Sequence, residues 1–113
     1  MEVKRGEIYM VDLKGKGNIQ RGIRPAVVIQ NNTGNRFSPT LQIAPLTRNV
    51  DKKEMPTHVK VSYEWLDSDS IILVEQARVI NKSELQQRLG SINQLDTIKL
   101  NEAIMISYGL NVG

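Results

Sequence analysis

Apolar residues in this chain come in short runs, the longest only four residues, as at Ile71–Val74 and Ala103–Ile106. Such runs fall far below the roughly 20 apolar residues that cross a bilayer. Clusters of Gly, Pro and Asn separate them, which is the punctuation of turns. Helical patterning is confined to the C-terminal part. Strands first and helices afterwards exclude an alternating parallel βαβ plan. The expected fold is α+β, mainly β: a small barrel or sandwich of residues 1–113 as one domain, with helix packed against it. A domain of this size buries only about two-thirds of its unfolded surface, which favours self-association.

Gly6–Leu13 reads as a strand with Tyr9, Val11 and Leu13 on one face and Ile8, Met10 and Asp12 on the other. Lys14–Arg24 holds three glycines and four basic residues and is expected to be a long, mobile loop. Pro25–Gln30 is expected to be a buried strand entered through its proline. Asn31–Pro39 reads as a polar loop, Thr40–Thr47 as a third strand, Arg48–Glu54 as another basic loop and His58–Val61 as a short strand. Ser70–Ile80 is the longest apolar strand, broken by a bulge near Glu75-Gln76. Asn81 and Glu84 have capping-box spacing, so a short helix is expected there, ended by Gly90. Asn93 or Asp96 would cap a final helix running to about Tyr108. Its apolar residues are too many for one stripe, so the barrel or a second subunit should cover much of its circumference.

Zero Cys and one His remove disulfide scaffolds, Cys-ligated zinc, thiol nucleophiles and a two-histidine acid–base pair. No metal site or cofactor is expected. The N-terminus has no apolar signal segment, so the expected location is the cytoplasm, without a membrane. The charge is asymmetric: residues 1–60 hold 11 Lys/Arg against 5 Asp/Glu, whereas residues 61–113 hold 4 against 7. Cations gathered in one half suit a polyanionic partner.

The glycines at 15, 17 and 22 around Lys16 match neither a Walker loop nor a dinucleotide loop. Arg24-Pro25 is more informative. Proline fixes its own φ and biases the residue before it toward extended backbone. The Arg24 fork therefore leaves a constrained main chain, suited to a phosphate or to a salt bridge with Asp12 or Glu75. The Thr47 hydroxyl either donates to a phosphate or caps a turn. His58 suits a hydrogen-bonded structural role more than a catalytic one. Glu75 and Gln76 either face a concave surface or are satisfied in the core, and Phe37 and Trp65 either stack on bases or pack.

With these residues in view, the sequence resembles the MazF/PemK family of toxin endoribonucleases from bacterial toxin–antitoxin pairs. The resemblance rests on an ordered series: Lys4–Tyr9, Gln20–Asn31, Asn35–Thr40, Ala44–Thr47, Met55–Val59 and Asp69–Arg78. The Asn35–Thr40 segment is most similar to the group from Gram-positive bacteria. The resemblance implies an SH3-like barrel with a long C-terminal helix, a homodimer, and metal-independent cleavage of single-stranded RNA at a short sequence. It also implies a cognate MazE-like antitoxin. By position, Arg24 and Thr47 match the family's catalytic Arg and Thr. Arg5, Asn18, Gln20, Arg21, Arg48 and Gln76 are the expected RNA-binding residues.

Many members carry an acidic residue before the Gln of the first loop, where this chain has Ile19. The expected chemistry is attack by the substrate's own 2′-hydroxyl, with Arg24 and Thr47 stabilising the phosphorane; His58 or Glu75 would move protons if they face the groove. A gyrase-binding poison of the CcdB type, on the same barrel, and a catalytically weak relative are the alternatives.

Overall fold

The computed structural model describes residues 2–51 and 53–110. Among these, seven strands form one antiparallel sheet: β1 Glu7–Leu13, β2 Gly22–Val28, β3 Thr40–Thr47, β4 His58–Val61, β5 Ser70–Leu73, β6 Arg78–Asn81 and β7 Leu85–Ser91. Their order is β4-β5-β3-β2-β1-β7, with β6 paired to β3 off this path. The helices are α1 Asn32–Phe37 and α2 Gln94–Ser107.

Alternation along β1 builds two cores. Tyr9, Val11 and Leu13 join Ala26, Val28, Leu41, Ile43 and Ile80 in one apolar cluster, around which β1, β2, β3, β6 and β7 curl. Ile8 points the other way and joins Val27, Ala44, Leu46, Ile72, Leu100 and Ala103, the last two brought by α2. A sheet buried on both faces and capped by one long helix is the small SH3-like barrel the sequence led us to expect, α+β and mainly β.

β3 holds this arrangement together. One edge pairs with β2. The other takes β5 at Leu46↔Ile72 and β6 at Ile43↔Arg78. Six residue steps, from Ile72 to Arg78, therefore span only three steps of β3. The excess forms a 3-10 turn at Val74–Gln76. The expected bulge is thus a full interruption, and it divides Ser70–Ile80 into two strands.

Three local expectations need correction. Asn31–Pro39 contains α1, because the Asn31 side chain caps Gly34 N–H at 2.8 Å and buried Asn35 donates to Gln30 O. Pro25 lies inside β2, opposite Met10, since the strand already begins at Gly22. After Asn81 the cap forms, with Asn81 N–H donating to Glu84 Oε1 at 2.9 Å. Only a 3-10 turn at Lys82–Glu84 follows, because the chain then supplies the strand that covers β1. Gly90 accordingly sits in β7 opposite Ile8 rather than ending a helix. The expectation for α2 stays open on one side: within one chain Asp96, Leu100, Ala103 and part of Ile104 turn inward, while Leu95, Ile98 and Ile106 are at least 45 % exposed, the face left for a second subunit.

Trp65 explains the glycine. Its indole stacks on Tyr63 with centroids 4.6 Å apart and lies against Gly90, where an added Cβ would fall 2.4 Å from Trp65 Cε2. The Tyr63 hydroxyl donates to Asp96 and accepts from Asn93 N–H, tying this turn to the start of α2. Burial, then the Asp96 bond, push the Tyr63 phenol up to about 12. Elsewhere Glu7 is buried beside Arg88, which donates to it at 2.5 Å. Burial raises the carboxyl, but Arg88, Lys4 N–H and the Tyr9 hydroxyl outweigh it and hold Glu7 below its ordinary value.

Gly90→Ala is expected to destabilise the fold by about 1–3 kcal/mol through overpacking against the indole. In a Trp65→Ala background the same substitution should cost much less. Thermal unfolding of the four proteins measures both, and equal losses in the two backgrounds would contradict this packing.

Candidate active site

Strand register generates the site. β2 and β3 pair with Val27↔Ala44 and Ala26↔Pro45. The ladder ends at Ala26↔Pro45; two residues beyond it Thr47 closes β3, while β2 runs on past Arg24 to Gly22 paired with β1 alone, and Arg24 and Thr47 line one groove there. Side chains alternate along a strand, so Arg24 shares its face with Ala26 and Val28, and Thr47 with Leu41 and Ile43. Arg78 lies on the same face by its pairing with Ile43. All three polar side chains thus prolong the interior face of the barrel at one rim.

The Arg24 guanidinium donates from Nε to Arg21 O at 2.9 Å and from NH1 to the Gln20 side-chain oxygen. Both acceptors are neutral. Asp12 pairs with Lys14, and Glu75 with His58, so neither carboxylate considered as an Arg24 partner takes that role. Arg78 donates to the carbonyls of Lys14, Gln20 and Gln76. Burial and then the charge of Arg24 lower its pKa. Among the described residues, neither arginine forms an ion pair. Two uncompensated guanidinium groups on one rim are a preformed site for an anion.

The 14–21 loop is tethered rather than free. Gln20 N–H donates to Gln76 Oε1 at 2.7 Å, and Gln76 Nε2 donates to Asn18 O at 3.0 Å. Asn18, Gln20, Arg21, Arg24 and Gln76 are thereby brought together, with Asn18 and Arg21 exposed. Thr47 caps its turn, accepting from Asn49 N–H at 3.2 Å, and is 6 % exposed. A groove of about 470 Å³ reaches Arg24, Thr47 and exposed Arg48 and continues over Met10, Pro25 and Trp65. Ser70, Asp67 and Gln87 line it too, and sequence patterning did not mark them.

Arg5 is not brought to this group. Its Nε donates to Ile29 O and its N–H to Asn32, at the far end of β2, about 17 Å along the strand from Arg24. The sequence reading also passed over Arg78. Its one signal was position: it follows the Glu75-Gln76 interruption and shares alternation with Ile80. His58 is structural. Its Nδ1 accepts Met55 N–H, so the ring proton is on Nε2 and is donated to Glu75 at 3.0 Å. Thr57 donates to the other Glu75 oxygen at 2.9 Å, which fixes the turn that presents Gln76. Phe37 is 75 % exposed beneath Arg36, whereas Trp65 packs. Among the described residues no helix is long and apolar enough to cross a membrane.

Fold and site together define a small-barrel protein whose rim offers paired cations and a hydroxyl to a polyanion. The profile of the family described as PemK-like, MazF-like toxin of type II toxin-antitoxin system matches residues 4–108. The chain is 41 % identical over 112 residues to an endoribonuclease MazF from Staphylococcus epidermidis, covering 96 % of this chain and 93 % of that one. An endoribonuclease solved in complex with its cognate antitoxin, from a mycobacterial species, superposes with a TM-score of 0.83 at 25 % identity, covering 98 % of this chain and 99 % of that one. MazF from Deinococcus radiodurans has a TM-score of 0.82 at 19 % identity over 97 % of this chain and 99 % of that one, a likeness of fold. The chain belongs to the PemK-like, MazF-like toxins of type II toxin–antitoxin systems.

His58→Leu removes one of the two side-chain donors to Glu75 and the acceptor for Met55 N–H. A loss of about 1–3 kcal/mol is expected, read by denaturant unfolding; stability equal to the unsubstituted protein would remove His58 from this structural role.

Proposed function

We propose that the protein is the toxin of its toxin–antitoxin pair and acts as an endoribonuclease on single-stranded RNA, as one domain in the cytoplasm. The observation that carries this reading is that Arg24 and Thr47 line one groove at the barrel rim, with guanidinium charge that no carboxylate among the described residues neutralises. The family membership and the name of the staphylococcal relative support it, and favour it over gyrase poisoning.

The chemistry follows from these groups. The 2′-oxygen of the substrate attacks the adjacent phosphorus, its proton leaves, and the bond to the 5′-oxygen breaks as that oxygen gains a proton. The products are a 2′,3′-cyclic phosphate and a 5′-hydroxyl, with no metal required. Negative charge accumulates on the equatorial oxygens, where a fixed Arg fork and a hydroxyl stabilise it more than they stabilise the ground state. Arg24 supplies charge and hydrogen bonds rather than acting as the base. With Ile19 at the position where many relatives carry a carboxylate, and with His58 and Glu75 bonded to each other, the rim contributes charge stabilisation and solvent carries the protons.

Base edges of an unpaired strand would be read by amides and by exposed Arg21 and Arg48. The partners in this proposal are mRNA, a MazE-like antitoxin and a second copy of the chain. The antitoxin-bound mycobacterial neighbour supports the second. The exposed Leu95, Ile98 and Ile106 of α2 fit the third.

Arg24→Ala and Thr47→Val are each expected to slow cleavage of RNA in EDTA roughly 10²–10³-fold without lowering Tm by more than a few degrees, while Thr47→Ser retains most activity. Full activity in both Arg24→Ala and Thr47→Val would refute the assignment.

A further inference from the structure

Arg78 ties the two ends of the 14–21 loop to each other. From β6 it donates through NH1 to Lys14 O at 2.9 Å and to Gln20 O at 2.8 Å, and through Nε to Gln76 O at 3.3 Å. Lys14 leaves β1 and Gln20 leads into β2, so one planar group joins both ends of the loop. Between them the chain is closed by the Lys16–Ile19 turn, and Gly15 lies so close beneath Ile19 and Gln20 that a Cβ would fall 2.9 Å from either carbonyl. Gln20 therefore has its carbonyl held by Arg78, its N–H by Gln76 and its side chain by Arg24.

We propose that Arg78 is a positioning residue for the cleavage reaction: by tying Lys14 O to Gln20 O it fixes the Gln20 amide that clamps the Arg24 fork. This rests on the nuclease reading above and adds to it a residue outside the expected catalytic and RNA-binding set. A lysine ammonium is a point charge and cannot reproduce a planar fork held against carbonyls of separate segments. The residue's own environment argues against a role in stability alone. Arg78 NH2 is buried with no hydrogen-bond partner, and the half-buried group has no counter-ion, among the described residues. A half-buried cation left so costs stability, yet here it adds positive potential beside Arg24, where the transition state gathers negative charge.

The test compares Arg78→Met and Arg78→Lys with the unsubstituted chain in two readouts: kcat and KM on a short RNA in EDTA, and hydrogen exchange of the Gln20 amide. Arg78→Met should lower kcat on the order of 10²-fold, the cost of a misplaced catalytic group, with KM changed only a few-fold. The Gln20 amide should lose its protection while that of Val27 in the core keeps it, and Arg78→Lys should recover part of both. Unchanged kcat overturns the proposal, as does a lost kcat with Gln20 still protected. Should Arg78→Met fail to fold, Arg78→Lys carries the same two criteria. A failure of the nuclease reading is visible separately, as absence of cleavage by the unsubstituted chain. The exchange measurement then still decides whether Arg78 holds the loop.

Discussion

The pairing of β2 with β3 is the constraint on which the rest of the molecule depends. It places Val27 and Ala44 in one core and Ala26 and Val28 in the other, so a single ladder serves both apolar clusters. A slip of one residue would exchange the faces of a strand and turn Val28 and Ile43 out of the barrel. The same register that satisfies the cores fixes which residues lie where the ladder ends. Arg24 and Thr47 are brought to one groove by hydrophobic burial several residues away, with little energetic demand of their own.

β3 also shapes the site through its other edge. Because β5 and β6 both pair with it, the segment between them must bulge, and the turn at Val74–Gln76 projects Gln76 toward the 14–21 loop. His58 and Thr57 grip Glu75 from beneath that turn. The loop that looks free in sequence is therefore held by groups contributed from the acidic half of the chain. Basic residues supply the field, and the second half supplies the geometry in which the field acts.

Much of this was legible in the sequence because burial dictates alternation. The two faces of β1, the strand at Thr40–Thr47 and the Asn93 cap of α2 all follow from local pattern. What was not legible depends on partners distant in sequence. A glycine after a helical cap reads equally well as a helix end or as a place for an indole to lie, and only the position of Trp65 decides for Gly90. The polar run that forms α1 has no apolar period, since its buried residue is Asn35, satisfied by Gln30 and Asn32. Of the candidate site, Arg24 and Thr47 were singled out through family resemblance, and the structure puts both on one groove. Arg5 shares the charge of Arg24 but not its end of β2, and the bonds of Arg78 emerge only when Lys14 and Gln20 are seen within reach of β6.

The central claim is that this rim stabilises attack by the substrate's own 2′-hydroxyl. The most direct measurement uses the unsubstituted protein in EDTA on an RNA it cleaves, with deoxyribose at the single nucleotide whose 3′-phosphate is attacked. The account predicts that this RNA stays intact at that bond, while deoxyribose one residue further upstream still permits cleavage there. Cleavage at the substituted bond, giving a 3′ end with no cyclic phosphate, would contradict it.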